Sequence, residues 1–293
     1  MPKNTRAKQL AKAHERRQAE KRHHERRRQV TAIVVALAIA IVGGGVAVAA
    51  FSGGDDTTTS ASGATKPSDQ TGATGATAAT GASGQPSTVT PTPGPKAVAC
   101  GGQEPRNAAK PKPQFSKPKQ VIEPGKTYTA EMQTSCGTIT FELLADQAPE
   151  TVNSFVFLAE QGYFDGQRFH RLDTSIDVIQ GGDPTGTGSG GPGYSIPDEL
   201  TGKESYGPGT LAMANAGPNT GGSQFFIITG DKGHNLDANP NYTIFGTITD
   251  GLDVARKIQQ LPIQDPNAAA SGDLTGQQPK QAVYVEKVTI HQG

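Results

Sequence analysis

The sequence predicts a mainly β domain, a closed antiparallel barrel capped by two α-helices, carried behind an apolar anchor and a long linker. Three observations predict it. Between residues 127 and 291, many short apolar runs are separated by Gly, Pro and Asn turns, with only two stretches of helical periodicity. Residues 30–51 form a run of 22 residues without a charge. Residues 52–118 hold almost nothing that a core could use. Gly (37) and Pro (21) are abundant among the 293 residues and Trp is absent, which favours one compact domain over two.

The net charge of zero hides an asymmetry: residues 1–29 carry 11 Lys and Arg against 3 Glu, and the rest of the chain is acidic by the same margin. The near-repeat His14-Glu15-Arg16-Arg17 and His24-Glu25-Arg26-Arg27 sits in this block, whose basic residues fall on every helical face. A nucleic-acid arm is one reading of it. The reading favoured by the adjoining apolar run is a cytoplasmic flank that sets membrane orientation, with no nucleic acid as partner. A third is a docking segment for a cytoplasmic partner.

At 1.5 Å per residue, 30–51 reaches across a hydrocarbon core of about 30 Å. The positive-inside bias puts residues 1–29 in the cytoplasm and everything after 51 outside, as a single-pass protein of the cell membrane. The alternative is secretion after cleavage at Ala47-Val48-Ala49, although 29 residues is long for the charged region of a cleaved signal. No cysteine follows the run closely, which argues against a lipoprotein anchor. Residues 52–118 read as a disordered linker of Thr-Gly-Ala triplets followed by closely spaced prolines. As a flexible coil it spans roughly 45 Å, enough to hold a domain clear of a membrane.

The domain itself is expected over 119–293. Residues 128–133 and 138–144 read as a hairpin around Ser135-Cys136-Gly137. Pro149 opens a helix to about 161, in which Val152, Phe155, Val156 and Ala159 recur at spacings of three and four before Gly162. Short strands are expected at 169–172, 178–180, 210–214, 225–229 and 243–248. A second helix is expected at 252–260 and a closing strand at 283–291. Residues 262–282, rich in Gly, Pro and Gln, read as a loop.

Three stretches carry a resemblance. They are Phe169-His170-Arg171 leading into Gln180-Gly181-Gly182-Asp183; residues 209–220, with Ala212-Met213-Ala214-Asn215-Ala216-Gly217; and Gly222-Ser223-Gln224-Phe225-Phe226-Ile227. Together with Ala148-Pro149-Glu150-Thr151 they resemble the cyclophilins, in family order, over about 127–291. The resemblance does not cover 1–126; long tethers before such a domain are similar to those of extracytoplasmic bacterial members. It implies an eight-stranded antiparallel β-barrel with a helix at each end, and peptidyl-prolyl cis/trans isomerisation without cofactor or metal. It also implies proline-containing polypeptides as partners; a monomer is the expected state.

Physical chemistry and resemblance meet here. Rotation about X–Pro loses amide resonance and faces a barrier of about 18–20 kcal/mol, yet no bond breaks, so neither a nucleophile nor a metal is required. A pocket that grips the proline ring and a donor that favours the twisted amide suffice. By resemblance, Arg171 is that donor and Gln180 orients it. Phe226 and Val178 line the proline pocket and Leu236 closes it. Ala214 and Asn215 present backbone groups, with Gln224 and Gly188 nearby on the groove. Phe169 and His170 read as structural.

Departures from the family pattern are local. The stretch 172–179 is one residue longer, so that Asp177 falls where the family usually has a pocket phenylalanine. Asn235 stands where many members have tryptophan, which bears on cyclosporin affinity more than on activity. After a two-residue insertion, Tyr242 replaces the usual histidine at the pocket mouth. The alternative function is a non-catalytic chaperone or scaffold domain that binds proline peptides.

Other signals carry less. Residues 186–191 satisfy G-x-G-x-x-G, but Pro192-Gly193 prevents the helix a dinucleotide site needs. No His, Cys and Asp cluster has metal spacing. Cys100 and Cys136 are the whole cysteine complement and both fall on the outer side, so either a disulfide joins them or both stay as thiols.

Overall fold

The computed structural model describes residues 87–95 and 97–293. The expected basic segment, apolar anchor and linker up to residue 86 lie outside the described residues. Among those described, no helix is long and apolar enough to cross a membrane.

Eight strands form the body: β3 (Tyr128–Thr134), β4 (Gly137–Leu143), β5 (Arg171–Asp173), β6 (Val178–Gly181), β7 (Thr210–Met213), β8 (Phe225–Ile228), β9 (Ile244–Asp250) and β10 (Val285–Gln292). They are preceded by a two-residue pair, β1 (Thr88–Val89) and β2 (Lys112–Pro113). The helices are α1 (Pro149–Glu160), α2 (Leu252–Gln259) and a short α3 (Pro266–Ala270), one more than expected.

Alternation explains the sheet. Tyr128, Ala130, Met132 and Thr134 of β3 point inward, and β4 repeats the pattern with Ile139, Phe141 and Leu143. Their hairpin register pairs Thr134 with Gly137. Gly137 has φ 135°, and a Cβ there would lie 2.9 Å from Val254 of α2, so glycine lets the helix close over the turn. In β8 the two neighbouring phenylalanines part company. Phe225 joins the main core, and Phe226 joins a second cluster with Ile176, Val178 and Leu236.

Helix α1 plugs the concave side. Its Phe155 packs on Phe164, Phe225 and Phe245 at centroid distances of 4.9, 5.9 and 5.3 Å. The Glu199 carboxylate accepts from the backbone N–H groups of Glu150 and Thr151 at 2.9 and 2.8 Å, placing an anion at the positive end of the helix.

Two expectations are corrected. The barrel is not closed: the antiparallel order runs β10-β3-β4-β9-β7-β8-β6-β5, leaving β5 and β10 as edges of an open half-barrel. The reason is local. Strand β5 is three residues long, and its Leu172 N–H is taken by the Gln277 carbonyl of the 262–282 segment at 2.8 Å, so a loop covers that edge. The chain ahead of β5 meets the chain ahead of β10 through single bonds, Phe169 N–H to the Val283 carbonyl among them.

The second correction concerns the end of the expected linker. Residues 97–118 are built onto the domain as a strap. Cys100 is disulfide-bonded to Cys136 in the β3–β4 turn. Val98 bridges Ala282, Phe115 packs edge-on against Phe157 of α1 at 5.0 Å, and the buried Lys112 ammonium donates to the Asp165 carbonyl. A proline-rich stretch with little to bury on its own is ordered by a covalent tie and one aromatic anchor.

Candidate active site

The site lies where β5, β6 and β8 present side chains on the face away from α1. Register does the placing: Arg171 of β5 pairs with Gln180 of β6, and Gln180 pairs with Phe226 of β8. A cross-strand row therefore sets a cation, an amide and an aromatic ring side by side. Gly182 follows at φ 81°, where a Cβ would sit 2.1 Å from the Ser223 carbonyl, so the backbones approach as only glycine allows.

The Arg171 guanidinium is held on three sides. Nη1 donates to Gln180 Oε1 at 2.9 Å, Nη2 to Asp173 Oδ2 at 2.6 Å, and Nε to Gln277 Oε1 at 2.5 Å. Gln180 donates in turn to Gln224 Oε1 at 3.0 Å, and Gln224 donates to the carbonyls of Gly188 and Gly190, both at 2.9 Å. A continuous polar chain thus runs from Asp173 to the loop 184–193. Three of the five guanidinium N–H groups are used, which leaves one on each terminal nitrogen.

Beside this chain is a cavity of about 260 Å³. All ten residues assigned by resemblance line it: Arg171, Gln180, Phe226, Val178, Ala214, Asn215, Gln224, Leu236, Gly188 and Tyr242. Its apolar floor is the second cluster, in which Phe226 meets Tyr242 edge-to-face at 5.2 Å. The Ala214 N–H is already given to the Gln224 carbonyl at 2.9 Å, so that group is not free for a ligand. The Asn215 side chain is committed as well, donating to the Asn241 carbonyl at 2.7 Å.

The expected position of one departure needs correction. Asp177 is not in the pocket. It adopts φ 50°, pairs with Lys232 at 3.2 Å and leaves the apolar position to Ile176, which lines the cavity. The extra residue is absorbed by a left-handed turn, so the hydrophobic side chain slips back by one. Tyr242 lines the cavity with its ring packed against Phe226. It is 9% exposed, and its backbone exchanges hydrogen bonds with the Tyr206 hydroxyl at 2.8 and 3.0 Å. Burial pushes its hydroxyl up to about 12, against the pull of Arg171.

Residues the sequence reading missed are Asp173, Ile176 and Gln277, with Leu274 and Gln278 on the same wall. Asp173 could have been found, because in a strand it shares a face with Arg171 two residues away. Nothing in the Gln-rich 262–282 segment distinguishes Gln277 before the fold brings it to Arg171.

His170 lies beneath the loop 184–193. Both ring nitrogens are buried without a hydrogen-bond partner. Burial pushes its pKa down to about 4, opposed by Asp183 and reinforced by Arg171 and Arg168, so the ring is neutral. Burial opposes ionisation of Asp183 too. Its carboxyl nonetheless stays below the ordinary range, beside His170 and accepting from Thr185 at 2.7 Å, Thr187 at 2.9 Å and Gly188. Among the described residues no group of three or more His, Cys, Asp or Glu is placed to hold a metal.

A family model described as "Cyclophilin type peptidyl-prolyl cis-trans isomerase/CLD" matches residues 129–290. The chain belongs to the cyclophilin family. Similar proteins include a probable peptidyl-prolyl cis-trans isomerase B of Mycobacterium tuberculosis, 43% identical over 168 residues, covering 50% of this chain and 53% of that one. Another is peptidyl-prolyl cis-trans isomerase-like 1 of Rhizopus delemar, 47% identical over 131 residues, covering 43% and 77%. A third is peptidyl-prolyl cis-trans isomerase B of Bacillus subtilis, 46% identical over 121 residues, covering 41% and 82%. The chain spans about half the length of the mycobacterial relatives it matches. In this cyclophilin, residues 187–191 line the cavity, and no helix begins in 186–191.

Proposed function

We propose that the domain is a peptidyl-prolyl cis/trans isomerase acting on X–Pro bonds of polypeptides, with Arg171 as the catalytic donor. The observation that carries this is a guanidinium fixed at the wall of an apolar pocket with N–H groups left over. The ring of a substrate proline fits among Phe226, Val178, Ile176 and Leu236, where apolar contact holds it while the preceding carbonyl group turns. As the amide twists, its nitrogen becomes pyramidal and regains a lone pair. A charge-assisted N–H from Arg171 favours that state over either planar one. Gln180 keeps the guanidinium facing the pocket, and the Asn215 backbone lies along the groove for the flanking peptide.

No covalent step and no cofactor is involved. Turnover on the order of 10³ s⁻¹ asks for about 6 kcal/mol of differential stabilisation. One desolvated charged donor plus positioning supplies an effect of that size. The apolar run 30–51 and the basic block before it support a membrane-anchored protein whose clients are secreted or envelope chains.

The test is isomerisation of an X–Pro reporter peptide by the full chain beside Arg171→Ala. A fall in kcat/KM of about tenfold or more is expected. Absence of turnover in the folded wild type would leave a proline-peptide-binding module instead.

A further inference from the structure

We infer that Asp173 and Gln277 are positioning residues that clamp Arg171 from behind and set its catalytic orientation; this rests on the isomerase reading above. The clamp is buried. Asp173 and Gln277 are each 5% exposed, and the Arg171–Asp173 pair is shielded on both sides. The acid is itself immobilised. Its Oδ2 takes Arg171 Nη2, while its Oδ1 accepts the Ser175 N–H at 2.8 Å and the Ser175 hydroxyl at 2.5 Å. Gln277 is fixed twice, by its side-chain oxygen on Arg171 Nε and by its carbonyl on the Leu172 N–H.

Each of the three acceptors faces a different nitrogen of one planar group, so together they fix both the position and the rotation of its plane. With Gln180 alone, a long arginine side chain would keep several rotamers, and only a fraction would aim an N–H at the substrate. The inserted turn after β5 has a role in this arrangement. Within that turn Ser175 donates to Asp173 through both its N–H and its hydroxyl. The segment 262–282 likewise has a use: it carries the second half of the clamp over the sheet edge. Asp173 also offsets the charge of the guanidinium it holds.

The experiment uses the full chain with Asp173→Ala, Asp173→Asn, Gln277→Ala and Arg171→Ala. Three readouts are needed: kcat/KM on an X–Pro reporter, the affinity for a slowly exchanging proline peptide, and the ¹⁵N–¹H signals of the Arg171 guanidinium. Asp173→Ala is expected to lower kcat/KM about tenfold, with peptide affinity changed less than about threefold. The slowed rotation of the guanidinium should disappear in the same variant. Asp173→Asn keeps an oxygen acceptor in the same place, so both the guanidinium signals and most of the turnover should survive. Gln277→Ala keeps the backbone carbonyl that holds the Leu172 N–H and should show a smaller loss with the same signature. Wild-type turnover in Asp173→Ala, or loss of turnover with the guanidinium signals unchanged, overturns the clamp. If the folded wild type shows no turnover, the isomerase reading itself fails; if Arg171→Ala keeps full turnover, the donor role and the clamp fall together; if only Arg171→Ala is impaired, the clamp fails alone.

Discussion

Ile176 and Asp177 show how one inserted residue is resolved. The left-handed φ of Asp177 costs about 1 kcal/mol for a residue with a Cβ, and its partly exposed pair with Lys232 returns a fraction of that. Asp177→Gly should therefore leave turnover unchanged and move stability by less than about 1 kcal/mol in denaturant titration. Ile176→Ala should weaken proline-peptide binding about tenfold by titration, because it opens the pocket floor. Equal effects of the two substitutions would return Asp177 to the pocket. His170 yields a pH prediction. Its folded pKa, about 4, lies below the unfolded value near 6.5, so the unfolded chain binds the extra proton first. The stabilisation from the neutral ring is present above about pH 6.5 and is lost as pH falls towards 4. Melting temperatures across that window should decline in the wild type and decline less in His170→Gln.

At the scale of elements, periodicity was the legible part. The hairpin β3–β4, helices α1 and α2, and strand β10 stand within two residues of their expected ends, because one face of each is buried and the pattern records it. The ten pocket residues were legible through motif, since register then brings Arg171, Gln180 and Phe226 into one row. What sequence did not show is what tertiary contact alone decides. The strap has no periodicity of its own and is held by Phe115, Lys112 and Cys100 acting on distant partners. Gln277 is one glutamine among several until the loop covers β5. Open closure, too, depends on that loop and not on strand propensity. The disulfide closes a loop of 36 residues. In the chain-entropy picture its removal, by Cys100→Ala with Cys136→Ala or by reductant, should cost about 4 kcal/mol in chemical denaturation. A change below about 1 kcal/mol would mean that the strap stays in place through Phe115 and Lys112 alone.

For the whole molecule, charge and hydropathy divide the chain into a basic start, an apolar run and an acidic remainder. If 30–51 anchors the protein, it should stay with membranes after alkaline washing, and protease added from outside should release the domain; recovery in the soluble fraction would favour cleavage instead. The central claim concerns chemistry at the pocket, and one measurement reaches it most directly: the interconversion rate of cis and trans proline peptide while bound, from NMR line shapes, in wild type and Arg171→Ala. The expected result is rapid exchange on the wild-type protein and, in the variant, bound peptide that exchanges at least about tenfold more slowly with nearly unchanged affinity. Bound exchange that is equally fast without the guanidinium would contradict Arg171 as the donor.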